Sequence, residues 1–114
     1  MTTYLSSELA ALAERAWAAG LFDGEGAVFT ANGGIKLQLK MIDQPTVERF
    51  CRAVGTGKVY GPYKNRSGEK DGYPRSDFYM WVSLKGQGFK VLHQLWPYMS
   101  DFRRARAIEC GYTH

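Results

Sequence analysis

The chain has 114 residues, a net charge of +4 at pH 7, a pI near 9.2, and 45% hydrophobic and 23% charged residues. One domain of residues 1–114 is expected, with enough core to fold unstapled, and the basic balance admits an anionic partner without requiring one. Cys51 and Cys110 are too few and too far apart for a disulfide framework or a zinc site, and His93 and His114 read as isolated. No run reaches membrane-spanning length and no signal pattern opens the chain, so a soluble intracellular protein, cytoplasmic or organellar, is expected, with no membrane partner.

Ser6 or Ser7 caps a first helix over Ser7–Asp23, in which Leu9, Leu12, Ala13, Ala16, Trp17 and Gly20 recur at helical spacing. Ala13, Ala16 and Gly20 form a small-residue face that lets another helix approach closely, with Trp17 beside it. Gly24 and Gly26 are expected to stop the helix in left-handed conformation. Asp23 and Glu25 then stand at the negative end of the helix dipole, an unfavourable place for anions. Two acids against the dipole point to a compensating cation, and carboxylate oxygens suit Mg²⁺ or Ca²⁺.

The period then changes to two. Ala27–Ala31 is a short strand, Asn32-Gly33-Gly34 a hairpin turn, and Ile35–Ile42 a strand with Ile35, Leu37, Leu39 and Met41 inward. Lys36, Gln38 and Lys40 project from its other face, and Phe29 shares that side on the first strand. Asp43-Gln44-Pro45 starts a helix carrying Val47, Phe50, Cys51 and Val54 on its apolar face and ending at Gly55.

A second hairpin follows: Lys58–Lys64 outward, a polar loop over Asn65–Gly72, and Arg75–Leu84 returning. Phe78, Met80 and Val82 are expected inward, with Asp77, Tyr79 and Trp81 outward. Outward aromatics interleaved with Lys58, Tyr60, Lys64, Arg66 and Arg75 mark a binding surface for an anionic, stackable partner. From Ile35 to Arg75 nine lysines or arginines face only four acids, which puts the basic excess on this part of the chain. A helix with Phe89, Leu92, Trp96 and Met99 at core spacing, widened by Val91, Leu95 and Tyr98, is shortened or kinked by Pro97. A last helix, Asp101–Cys110, carries Arg103, Arg104 and Arg106, and Gly111–His114 are expected to fray. The order α-β-β-α-β-β-α gives an α+β fold: a four-stranded antiparallel sheet, helices on one face and the cationic face open.

Ala18–Gly26 reads A-A-G-L-F-D-G-E-G and closely resembles the signature of the LAGLIDADG homing endonucleases. Gly55-Thr56-Gly57-Lys58-Val59 resembles the family's glycine-containing lead-in to its third strand, and Leu95-Trp96-Pro97-Tyr98-Met99 its leucine-proline-aromatic element. The resemblance spans essentially the whole chain. It implies a site-specific double-strand DNA endonuclease of the kind borne by introns or inteins, with the concave sheet as DNA saddle. A single motif implies a homodimer across Ala13, Ala16, Trp17 and Gly20, reading near-palindromic DNA. Glu25 is then the metal carboxylate, Gly24 a carbonyl ligand, and Mg²⁺ the ion, with Mn²⁺ or Ca²⁺ as alternative occupants. Asp43 or Gln44 matches a peripheral position of the catalytic pocket. The family's basic pocket residue falls near Phe102, a departure that leaves Arg103 or Arg104 as substitutes. DNA contacts fall to Phe29, Lys36, Gln38, Lys40, Lys58, Tyr60, Lys64, Arg66, Arg75, Asp77, Tyr79 and Trp81. The alternative expectation is a non-cleaving DNA- or RNA-binding module, a splicing cofactor or regulator, on the same fold.

Overall fold

In the computed structural model the elements are α1 (Thr3–Glu25), β1 (Gly26–Ala31), β2 (Gly34–Met41), α2 (Gln44–Val54), β3 (Lys58–Tyr63), β4 (Phe78–Val82), α3 (Gly88–Leu95), a 3-10 turn (Trp96–Tyr98) and α4 (Asp101–Glu109). The structure describes residues 3–66, 72–73 and 75–114. Most of the polar loop expected between β3 and β4 lies outside them. The four strands form one antiparallel sheet in the order β1-β2-β4-β3. Among the described residues no helix is long and apolar enough to cross a membrane.

The local signals act as their chemistry dictates. Asn32 and Gly33, at φ 54° and 77°, make the tight β1–β2 turn, and Gly55 caps α2 with its N–H on the Cys51 carbonyl. Pro97 lies in the 3-10 turn that separates α3 from α4. Between the helices and the sheet lie Phe22, Leu37, Leu39, Val47, Phe50, Trp81, Val91, Leu92 and Leu95, all fully buried. Phe22 stacks on Phe50 at 6.1 Å, and Phe50 meets Trp81 edge-on at 4.9 Å. The apolar face of α3 is centred on Val91, Leu92 and Leu95, leaving Phe89 and Tyr98 partly exposed.

Five expectations need correction. First, α1 begins a turn before Ser6 and Ser7, which lie inside it and do not cap it. Second, neither Gly24 nor Gly26 takes a left-handed conformation; the helix runs through Glu25 and passes directly into β1. Gly26 is required for space: a Cβ there would stand 2.3 Å from Phe22 Cδ1. Third, β4 faces the other way. Leu39, a core residue, pairs with Trp81, and Lys40 pairs with Met80, and directly opposed residues share a face of the sheet. Trp81 is therefore fully buried and Tyr79 packs against the core, while Phe78, Met80 and Val82 turn outward. The indole N–H of Trp81 donates to the Thr56 carbonyl at 2.9 Å, and the glycine at 57 leaves room for the ring.

Fourth, the segment after α4 does not fray. The Tyr112 N–H donates to the Ala107 carbonyl, and its buried ring lies 4.7 Å from Trp96 and 5.1 Å from Phe89. Fifth, the same segment brings His114 to 5.1 Å from His93, so the two histidines are not isolated. Finally, α4 lies along the edge strand β1, where Arg106 Nε donates to the Val28 carbonyl at 3.0 Å and covers an otherwise open ladder.

Candidate functional site

Two surfaces meet where α1 ends. The first is the sheet face that no helix covers. One row of residues crosses all four strands, Ala27 opposite Gln38, Gln38 opposite Val82 and Val82 opposite Lys58. Adjacent rows pair Phe29 with Lys36, and Lys40 with Met80 and Tyr60. The side chains of Lys36, Gln38 and Lys58 make no hydrogen bond among the described residues, so their polar ends are available to a ligand. Lys40 Nζ sits 4.7 Å over the Phe78 ring, which itself packs on Tyr63 at 5.5 Å. Lys64, Arg66, Arg75 and Asp77 lie beyond the strand ends and are exposed; Arg75 donates to the Tyr73 carbonyl.

Of the sequence candidates for this surface, the structure brings Phe29, Lys36, Gln38, Lys40, Lys58 and Tyr60 onto one face. It removes Trp81 and Tyr79, which the β4 register turns toward the core. In their place stand Phe78, Met80, Val82 and Tyr63. Strand alternation alone missed them, because β4 is apolar on both sides; a register anchored on Leu39 would have found them.

The second surface is the end of α1. Glu25 is exposed, and its carboxylate makes no hydrogen bond or ion pair among the described residues. It immediately precedes Gly26, which pairs with Leu39, so it stands at the end of the sheet next to Lys40. Asp23 points elsewhere. Its carboxylate accepts the Ser100 N–H at 3.1 and 3.2 Å and the Ser100 hydroxyl at 3.2 Å. Ser100 in turn caps α4, accepting the Arg103 N–H, and Arg103 Nε donates to the Asp23 carbonyl at 2.9 Å. The cation that the dipole argument calls for at this helix end is thus Arg103.

Arg103 and Arg104 have different surroundings. Arg104 donates twice to the Trp96 carbonyl, at 3.0 and 2.6 Å, and tethers the 3-10 turn. Phe102 is 76% exposed beside Arg103. Asp43 accepts the Thr46 hydroxyl, and Gln44 donates to Glu48 at 3.1 Å; neither is hydrogen-bonded to Glu25. Among the described residues no three His, Cys, Asp or Glu side chains gather to hold a metal. One chain offers a carboxylate at Glu25 and, beside it, the Gly24 carbonyl from the last turn of a helix. That all-oxygen pair fits half a site for a hard divalent cation.

Along α1, Leu9 (55%), Leu12 (45%), Ala13, Ala16, Gly20 and Gly24 are exposed. A Cβ added at Gly20 or Gly24 would meet nothing within 4 Å, so among the described residues nothing demands glycine at either position. Trp17 is not part of that exposed face: its ring is covered by the Arg49 guanidinium at 3.7 Å, and Arg49 is paired with Glu14.

No protein-family model matches the sequence, and a search of curated proteins finds no match. Solved structures do match in fold. The homing endonuclease I-CvuI, in complex with its target (Sro1.3) in the presence of 2 mM Ca, aligns with a TM-score of 0.63 at 17% identity over 88% of this chain. The same endonuclease with the I-CreI target (C1221) in 2 mM Mg, its DNA not cleaved, aligns with a TM-score of 0.60 at 18% identity, again over 88%. This chain spans 64% of the length of each. The likeness bears out the LAGLIDADG resemblance at the level of fold.

Proposed function

We propose, from the premise that this chain has the homing-endonuclease fold, that two copies form a divalent-metal-dependent endonuclease cutting both strands of a near-palindromic DNA site. The observation that carries this is a Glu25 carboxylate without a partner among the described residues, at the α1 terminus and the edge of an open, cationic sheet face. The exposed Ala13, Ala16, Gly20 and Gly24 face of α1 supports the pairing: glycines without an intrachain reason admit a second α1 backbone. Pairing along this face brings two Glu25 side chains together, which like charge disfavours without a cation between or beside them.

Mg²⁺, when bound there, would supply a Lewis acid for the scissile phosphate, a lowered pKa for the attacking water and charge stabilisation at the leaving 3′ oxygen. Hydrolysis adds water across one phosphodiester per strand: an oxygen–phosphorus bond forms, the bond from phosphorus to the 3′ oxygen breaks, and the 3′ oxygen takes a proton. Glu25 and the Gly24 carbonyl would hold the ion. Arg103 fixes the end of α1 and keeps a permanent positive charge there, so it supports charge and cannot act as a base. Lys36, Lys40 and Lys58 meet phosphates or guanine, Gln38 suits adenine, and Phe78, Met80 and Val82 offer apolar contact to thymine methyls. An origin in an intron or intein belongs with this proposal.

A second function, DNA or RNA binding without cleavage, is favoured by one observation. Phe102 occupies the neighbourhood where a basic residue is expected, and Arg104 is engaged elsewhere. The test is selection on a randomised duplex library in Mg²⁺. Recovery of cut, near-palindromic sites supports the nuclease. A bound consensus without cut ends supports the binding module and removes the catalytic assignment.

A further inference from the structure

The histidines that sequence spacing leaves apart are gathered in space. Phe89 and His93 stand one turn apart on α3, and Trp96, the first residue of the 3-10 turn that follows, lies one turn beyond His93. The segment after α4 folds onto these residues, placing Tyr112 against Phe89 and Trp96, and His114 between Trp96 and His93. The His114 ring is 5.1 Å from His93 by centroid, and stacks at 16° on Trp96 at 5.2 Å. Both histidines are exposed at their outer edges.

We propose that His93 and His114 form a two-imidazole site for a borderline transition-metal ion of the Zn²⁺ class. Two imidazoles bound at about 2.0–2.1 Å to one tetrahedral ion have ring centroids about 5 Å apart, the spacing found here. The Tyr112 phenol lies 3.0 Å from His114 Nδ1. Metal binding selects the tautomer in which Nδ1–H donates to the phenol oxygen, leaving the Nε2 lone pair for the ion. Because Tyr112 is buried, that hydrogen bond also fixes the ring before the metal arrives. Water completes the coordination. Nitrogen donors separate this site from the all-oxygen pair at Glu25, since imidazole suits Zn²⁺, Ni²⁺ and Cu²⁺ while carboxylate and carbonyl suit Mg²⁺. Bound metal would tie the segment after α4 to α3.

The test uses the untagged full chain, titrated with Zn²⁺ by calorimetry and with Cu²⁺ by tryptophan quenching, since Trp96 touches His114. The wild type should bind one equivalent of either ion, and excess Mg²⁺ should not displace it. His93→Ala and His114→Ala should each bind about tenfold or more weakly, because either leaves one donor where two acted together. Trp96→Phe should bind Zn²⁺ yet lose most of the quenching by Cu²⁺. Glu25→Gln should bind Zn²⁺ as the wild type does, which keeps this site independent of the nuclease proposal. Zn²⁺ should raise the melting temperature of the wild type and not that of His93→Ala. Equal affinity in the wild type and both histidine variants, or loss of binding in Glu25→Gln, would overturn the assignment.

Discussion

Gly26→Ala isolates the packing that joins the motif helix to the sheet. The added Cβ would lie 2.3, 2.5 and 2.6 Å from three carbons of the Phe22 ring, against an ordinary carbon contact of about 3.5–4.0 Å. Phe22 is fully buried, and behind it stand Phe50 at 6.1 Å and Trp81 beyond, so the ring has no free space to retreat into. Overpacking of this kind costs about 1–3 kcal/mol. Replacing glycine by alanine returns about 0.4–1 kcal/mol by restricting the unfolded chain. The net expectation is a loss of roughly 1–2 kcal/mol. Urea unfolding followed by tryptophan fluorescence reads it as a lowered midpoint at unchanged slope. Phe22→Leu should relieve part of the clash, so the double variant should be more stable than the sum of the singles by about 0.5–3 kcal/mol. An unchanged midpoint in Gly26→Ala, or strict additivity with Phe22→Leu, would refute the close-approach account of this glycine.

Gly20→Leu should leave the monomer folded, since the position opens to empty space, and should abolish dimers; light scattering that finds an undiminished dimer would contradict the α1 interface. Trp81→Phe should destabilise by about 1–3 kcal/mol, through the smaller ring and the lost indole bond that leaves the Thr56 carbonyl only the weak Cys51 thiol donor, while leaving base preference intact; altered preference with unchanged stability would put Trp81 back on the binding face. The Arg49 hydrogen bond lowers the Glu14 pKa below its ordinary 4.5. Its stabilising effect is therefore present above that value and lost as pH falls through the depressed folded pKa. Glu14→Gln should accordingly be less stable than the wild type at pH 7 and converge with it in acid, checked by thermal melts across pH; a gap that widens in acid would reverse the sign. Lys36→Ala should weaken binding across sequences and flatten the salt dependence if Lys36 meets phosphate, and an unchanged slope in gel-shift titrations would exclude that contact.

The elements of this fold were legible where one physical signal dominated. The alternation of Ile35, Leu37, Leu39 and Met41 against Lys36, Gln38 and Lys40 set β2 and the open face. Asp43-Gln44-Pro45 and Gly55 bounded α2. The facing of β4 was not legible, because Phe78 to Val82 offers apolar residues to both sides. Its orientation comes from pairing with Leu39 and from the Thr56 carbonyl that receives the Trp81 indole, both distant in sequence. Gly26 is needed for space and not for the helix stop its sequence suggests: its backbone is ordinary, and the ring beneath it is what demands glycine. The clamp of Asp23, Ser100 and Arg103 and the meeting of His93 with His114 both depend on where α4 and the segment after it return. No spacing rule contains that information. At the candidate site, Glu25 was legible because a motif and a dipole argument agreed, while the separate roles of Arg103 and Arg104 required the structure.

The measurement that bears most directly on the nuclease is a paired assay of wild type and Glu25→Gln on one selected duplex, with binding and strand cleavage read from the same Mg²⁺-containing samples. The account predicts near-equal binding, two cuts by the wild type and none by the variant. Cleavage undiminished in Glu25→Gln would contradict it.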